Sequence, residues 1–360
     1  MDFALTEDQR FIQESARSFL ADAAGADAQR AAVEGATGFD GKLWASLAGE
    51  MGFAGLMVPE AHGGSGLGAV EMALVLEETG RTLAAVPFLE TAVLAVQAVL
   101  AAGSDAQRAE LLPGLANGSV KASFAGAAAR PALSDGRLTG EATFVTFGHV
   151  ADLFVIATAD DSLIALPADT PGLTVEPLPS LDRTRRFARL AFDCAAPDAA
   201  VLGAPGGSGA AIARTLTIGA GLLAAEQTGG AQFCLDATVE YSRQRVQFGR
   251  AIGSFQAYKH MLADMMVLIE ASRSAAFYAA AAIDEDGGEL AEACHVAQAY
   301  AADCYRHCAG EAIQLHGGIG FTWEHHAHLY FKRARATSSW LGTPERHREA
   351  LARIILQENA

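Results

Sequence analysis

Three arginines, Arg243, Arg245 and Arg250, fall within the stretch EYSRQRVQFGRAIGSFQAYKHMLADM, Glu240 to Met265. A guanidinium is planar, always charged and forked, so such a cluster could grip a pyrophosphate bidentately. Basic residues satisfying the carbonyls of a helix C-terminus would give the same pattern. A second stretch, AIQLHGGIGFTWEHHAHLYFKRAR, carries Gly317, Gly318 and Gly320, where the missing Cβ lets the backbone come close to a ligand or another helix. His325, His326 and His328 are metal-ligating types. No second ligand cluster with suitable spacing accompanies them, and they read as an exposed helix start. Cys304 and Cys308, one helical turn apart, read as core rather than ligands.

A third stretch, ATSSWLGTPERHRE, raises the opposite question. A basic helical run (Phe331, Lys332, Arg333, Arg335) breaks at Ser338-Ser339, shows Trp340-Leu341, and turns through Gly342-Thr343-Pro344 into another helical pattern. The tip of that turn is apolar and holds no group that can take a proton.

The elements that must position these stretches change texture along the chain. Residues 1–118 are helical, broken at EGATG, VPEAHGGSG and AAGSD. Thr6 and Gln9 form a capping box, after which Ile12, Ala16, Phe19 and Leu20 share one buried face. Residues 119–203 hold short apolar runs punctuated by Gly, Pro and Asp, the pattern of a β domain of about six or seven strands. Residues 204–360 return to helix, with segments near 210–242, 254–284, 287–315 and 324–337 and a last one from about 344. Ser254 is the expected N-cap of the second of these. The fold class is mainly α with a central β domain.

Composition narrows the function. The chain has 360 residues, 51% of them apolar, and a net charge of −16. A surface of that sign does not suit nucleic acid or an anionic membrane. The N-terminus lacks a basic segment followed by an apolar one, so it reads as folded structure rather than a signal peptide. The apolar runs are short, as in LETAVLAVQAVLAAG, or carry Asp264, Glu270 and Arg273, as in MLADMMVLIEASRSAAF. A soluble, cytoplasmic protein is expected. Five cysteines without framework spacing fit reduced thiols.

The first two stretches together resemble the acyl-CoA dehydrogenase family. YSRQRVQFGRAIGSFQAYKHMLADM is similar to its Y-x-x-x-R-x-Q-F-G-x-x-I-x-x-F-Q-x-x-x-x-x-L-A-D-M signature, and QLHGGIGFTWE to its Q-x-x-G-G-x-G-Y-x-x-E signature. LWASLAGEMGFAGLMVPEAHGGSGLGAVEMALVLEETGRTLAAVP is similar to the family's N-terminal helical domain. The resemblance implies an N-terminal helical domain, a middle β-barrel-like domain and a C-terminal four-helix bundle, assembled as a dimer of dimers with FAD at a subunit interface. It further implies that Arg245 reaches the FAD pyrophosphate of a neighbouring subunit, that Gln247, Phe248 and Gln256 line the adenine half, and that Gln314, Gly317 and Gly318 approach the rest of the dinucleotide. The implied reaction is α,β-dehydrogenation of an acyl-CoA thioester, with a carboxylate as base and an electron-transfer flavoprotein as acceptor.

The sequence departs from the family where that base should lie. A gapless count from GGIGF places WLGT on the family's Y-E-G-T turn, so Leu341 stands where the base is expected and Thr343 keeps the threonine. The family's alternative location falls near Gly219, also not acidic. Glu226 and Glu345 are nearby carboxylates, each also explained by helix polarity or interhelical pairing. In the β region the family's T-E-P-x-A-G-S-D loop corresponds to SFAGAAARPALSD, without Thr-Glu-Pro, whereas FVTFG keeps Phe144 and Thr146 in positions that flank the flavin. Groups serving a neighbour's FAD are thus kept, and those serving the chain's own flavin and base are eroded. The resemblance then implies one subunit of an α2β2 enzyme for bulky acyl-CoAs such as steroid side-chain thioesters, the partner supplying the base. A self-sufficient homotetramer with a relocated carboxylate and a non-catalytic scaffold subunit are the alternatives. The family's DNA-associated branch is disfavoured by the net charge.

Overall fold

The structure, a computed structural model, describes residues 4–358. Its helices are α1 (Glu7–Ala23), α2 (Ala26–Glu34), α3 (Gly41–Trp44), α4 (Ala69–Arg81), α5 (Val96–Ala102), α6 (Asp105–Ala116), α7 (Gly209–Gln244), α8 (Gln256–Glu285), α9 (Leu290–His316), α10 (Ala327–Trp340) and α11 (Pro344–Glu358). The strands are β1 (Ala122–Ala125), β2 (Ala132–Ser134), β3 (Arg137–Thr146), β4 (Leu153–Ala157), β5 (Leu163–Pro167), β6 (Leu173–Pro177), β7 (Phe187–Ala195), β8 (Val201–Leu202), β9 (Val246–Gln247) and β10 (Arg250–Ala251). By contacts the chain forms two compact units, the first made of the segments up to Gln29, Ala69–Ala84 and Ala220 onward, the second of Arg30–Gly68 and Ala85–Gly219.

The first unit is helical. Thr6 and Gln9 form the expected capping box of α1, whose Ala16 and Leu20 are buried. Helix α4 packs on α1 and α8, and α9 packs on α8, α10 and α11. Two glycines set how closely α4 and α7 cross. A Cβ on Gly80 would sit 1.9 Å from the Glu226 carbonyl oxygen, and one on Gly229 would sit 1.8 Å from that of Glu77. Only a hydrogen fits at either position. Helix α4 receives its N-cap from another helix: the Asp284 carboxylate of α8 accepts from Ala69 N at 2.5 Å and Val70 N at 3.1 Å.

Several expectations are corrected here. Ser254 does not cap α8; it lies in a 3-10 turn with its hydroxyl donating to Ala251 O, and Phe255 occupies the N-cap position. Helix α10 starts at Ala327 and runs through Ser338-Ser339 to Trp340, because the Ser338 hydroxyl bonds back to Arg335 O and remains compatible with helix. His325 and His326 are half-buried and His328 is buried rather than exposed. Ring contacts account for this: His325 packs 4.3 Å from His316, and His328 4.7 Å from Trp323. No group of three or more metal-ligating side chains suited to an ion occurs among the described residues. Helix α8 is long and apolar enough to cross a membrane, although its charged residues predicted otherwise. Its packing against α4 and α9 and the ion pair Arg273–Glu77, Nε to Oε1 3.0 Å, make it a bundle helix.

The second unit contains two four-stranded sheets, ordered β1-β4-β5-β8 and β2-β3-β7-β6. Alternation along β7, with Ala188, Leu190, Phe192 and Cys194 inward, supplies one side of a shared core, and Phe154, Ile156, Ile164 and Leu166 of β4 and β5 supply the other. Beside the sheets, a π-helical segment Leu89–Ala95 is wholly buried and carries Glu90, whose carboxylate lies 3.2 Å from Arg185 Nε. All five cysteines are buried free thiols.

Candidate functional site

Helix α7 ends in a surface hairpin. Strands β9 and β10 pair antiparallel, Gln247 with Arg250, and the two turn residues Phe248 and Gly249 both have positive φ, 52° and 78°. That is the geometry of a tight two-residue hairpin, in which the left-handed positions favour glycine. A phenylalanine held there is unusual, and Phe248 is 93% exposed at the tip. Arg243, Arg245, Gln247 and Arg250 are exposed around it. The Arg250 guanidinium stacks 3.9 Å over the Phe255 ring. Arg245 has no ion-pair partner among the described residues.

The root of the hairpin meets the glycine stretch. Tyr241 of α7 packs against His316 at 4.5 Å, and the Tyr258 hydroxyl of α8 donates to Leu315 O at 3.2 Å. The two motif stretches are thereby brought together. Gln314, Gly317 and Gly318 are exposed, and Gln256 opens α8 on the surface. A Cβ on Gly317 or Gly318 would meet nothing within 4 Å, whereas one on Gly320 would sit 2.9 Å from Ile313 O. Gly320 is required by packing, and Gly317 by its φ of 65°. Packing within this chain does not demand Gly318.

The turn after α10 holds Leu341, Gly342 and Thr343. Thr343 caps α11, its hydroxyl accepting from Arg346 N at 3.4 Å. Glu345 is fully exposed, and hydrogen bonds to its own backbone N–H and to the Thr343 hydroxyl hold its carboxyl below the usual range. It serves as an ionised helix-start residue. Glu226 is buried and accepts from Arg333 Nη1 at 3.0 Å. Local sequence does not mark Arg333 as a partner for any acid, since it lies 107 residues from Glu226 and sits in a basic helical run.

In the sandwich, β3 bulges between Ala142 and Val145, and Phe144 at the bulge has φ 57° and stands 61% exposed. Thr146 lies inside, 1% exposed, its carbonyl accepting from the Ser123 hydroxyl at 2.8 Å. The segment matching the family's Thr-Glu-Pro loop is closed by Arg130, which donates to Gly126 O at 3.1 Å and to Asp161 Oδ1 at 2.9 Å.

Comparison with known proteins agrees with this anatomy. Residues 6–119 match the acyl-CoA dehydrogenase N-terminal domain, and residues 207–356 match the C-terminal domain. The chain is 37% identical over 356 residues to acyl-CoA dehydrogenase IpdE2 of Mycobacterium tuberculosis, covering 97% of this chain and 96% of that protein. Among solved structures it resembles the ChsE4-ChsE5 complex from Mycobacterium tuberculosis, with 28% identity, TM-score 0.90 and 99% of each chain covered. It also resembles the Tcur3481-Tcur3483 steroid ACAD G363A variant, with 32% identity and TM-score 0.87 over 98% of this chain and 99% of that one. The chain therefore belongs to the acyl-CoA dehydrogenase family, FAD-dependent oxidoreductases that act on the CH–CH bond of acyl-CoA thioesters.

Proposed function

We propose that the chain is the subunit of a steroid-related acyl-CoA dehydrogenase that completes the FAD site of a homologous partner, and that the partner supplies the catalytic base. The observation that carries this reading is the contrast between the exposed hairpin and glycine stretch around Arg245 and Gly317-Gly318 and a turn, Leu341 to Thr343, with no acid. FAD, when bound, supplies the acceptor for the two electrons and the hydrogen that leave the β-carbon. Arg245, and Arg243 beside it, would hold the pyrophosphate with N–H groups that no acid among the described residues occupies bidentately. Gln247 and Phe248 would receive the adenine half, with Gln256 beside them, and the exposed backbone at Gly317 and Gly318, with Gln314, would close on the rest.

Leucine at position 341 cannot take the α-proton. With Trp340 it would form an apolar wall that excludes water from an acyl group. Glu226 is held by Arg333, and Glu345 is solvated at a helix start, so neither is placed as a general base. Phe144 and Thr146 keep the residue types of the family's flavin-flanking segment. The similarity to the ChsE4-ChsE5 complex and to the Tcur3481-Tcur3483 steroid ACAD supports a heteromer acting on a bulky acyl-CoA. An electron-transfer flavoprotein as the oxidant and a cytoplasmic location complete the proposal.

The test is to purify the chain alone and co-expressed with candidate homologous acyl-CoA dehydrogenase subunits from the same genome. FAD content and ferrocenium-linked dehydrogenation of short, medium and steroid-type acyl-CoAs are then measured. FAD and turnover only on co-expression are expected. Turnover by the chain alone that disappears in Glu226→Gln or Glu345→Gln would overturn the reading, and flavin without turnover in every mixture would mark a scaffold.

A further inference from the structure

Two histidines far apart in sequence meet behind the Trp340–Thr343 turn. His295 of α9 and His347 of α11 place their Nδ1 atoms 2.9 Å apart, and His347 Nε2 lies 3.1 Å from the Leu341 carbonyl oxygen. A carbonyl only accepts, so the network assigns a hydrogen to His347 Nε2. A neutral ring with hydrogen on Nε2 has a bare Nδ1, which must accept from His295 Nδ1–H. With both rings neutral, one arrangement of protons satisfies both contacts; a single added proton can still be shared across the Nδ1 contact, and only a pair with both rings cationic sets N–H against N–H there. Gly342 shows how closely the ring sits under the turn: its φ is 111°, and a Cβ there would be 2.8 Å from His347 Nε2.

The surroundings favour the neutral state. His347 is buried, and that burial, with His295 next in importance, pushes its imidazole down to about 4. Arg346 of α11 adds to the effect. Burial alone lowers His295. Arg348 of α11 pairs with Asp303 of α9, and Glu345 is held at the start of α11. The turn itself, Leu341 to Thr343, carries no charge.

We infer that His347 is a positioning residue: its Nε2–H, oriented by the Nδ1 contact to His295, latches the Leu341 carbonyl and with it the Trp340–Leu341 tip, and protonation of both rings releases that tip. A first added proton is shared between the two Nδ1 atoms, whereas a charge on each ring would set N–H against N–H at that contact and bury both charges beside Arg346. The tip's contact with substrate rests on the function proposed above. The latch does not, and its test needs no turnover.

Hydrogen–deuterium exchange of peptides covering residues 339–344 in the full chain, corrected for intrinsic rate, reads the latch directly. In the unmodified chain, protection should hold from pH 7.5 to about 6.5 and fall at least about tenfold toward pH 4.5, across the window between an ordinary histidine and the depressed one. His347→Leu should start about tenfold less protected at pH 7.5 and show no further acid step. His347→Gln, whose amide N–H can reach the same carbonyl, should keep protection at pH 7.5 and lose the acid step. Equal protection in His347→Leu and the unmodified chain at pH 7.5 would overturn the latch, as would an acid step that survives in His347→Gln. So would a loss of protection in α8 that runs parallel to that of the turn.

Discussion

The Glu226 carboxylate of α7 and the Arg333 guanidinium of α10 lie 3.0 Å apart with both side chains almost fully buried. A carboxylate in that setting is committed to its partner. Removing one member leaves the other charge buried without compensation, which typically costs about 3–5 kcal/mol, whereas replacing both with apolar groups of similar volume is far cheaper. Glu226→Gln should therefore lower the denaturation midpoint strongly, and Glu226→Leu combined with Arg333→Met should recover most of the loss. Per folded complex, the pH–rate profile of dehydrogenation should be unchanged in Glu226→Gln. A profile that loses its acid limb, with stability near normal, would restore Glu226 as a base.

The crossing of α4 and α7 yields a prediction about stability alone. Alanine at Gly80 or Gly229 would place a methyl group within 2 Å of a backbone carbonyl oxygen, so the helices would have to move apart. Each substitution should cost more than about 3 kcal/mol, at the upper end of single-site effects. Gly310, within α9, has nothing within 4 Å of its Cβ position, and Gly310→Ala should stabilise by about 0.5–1 kcal/mol through helix propensity. Chemical denaturation of the three variants side by side checks the contrast. Similar midpoints for Gly229→Ala and Gly310→Ala would refute the close crossing.

Much of this architecture could be read from local sequence because local rules govern it. The capping box at Thr6, the strand alternation of Phe187–Ala195 and the helix ending near Arg243 depend on neighbours a few residues away. Ser254 failed as an N-cap because the chain inserts a 3-10 turn before α8 and the Ser254 hydroxyl turns back to Ala251 O. Arg333 and the pair His295–His347 were invisible for a different reason. Their partners lie 107 and 52 residues away, and nothing in a basic run or a lone histidine signals which distant side chain will meet it. The hairpin residues were legible as a motif, yet only the fold shows that Phe248 and Arg245 point away from their own chain.

That outward orientation supports the last prediction. Arg245 is exposed beside a tip formed by Phe248, 93% exposed, with no acid of its own chain bound to it among the described residues. If it holds the pyrophosphate of a cofactor seated largely on a partner, Arg245→Ala removes a charge-assisted contact of about 1.5–3 kcal/mol, or about 10- to 100-fold in FAD affinity. Arg245→Lys should recover only part of this, because a point charge cannot reproduce the paired N–H fork. The isolated chain should fold as well in Arg245→Ala as without the change, since the side chain is exposed. Flavin retained by the co-expressed complex after dilution, read by absorbance, measures the effect. Arg137→Ala serves as the control, removing an exposed arginine that pairs with Asp193 on the sandwich. Flavin retention equal in the two variants would show that the hairpin does not hold FAD.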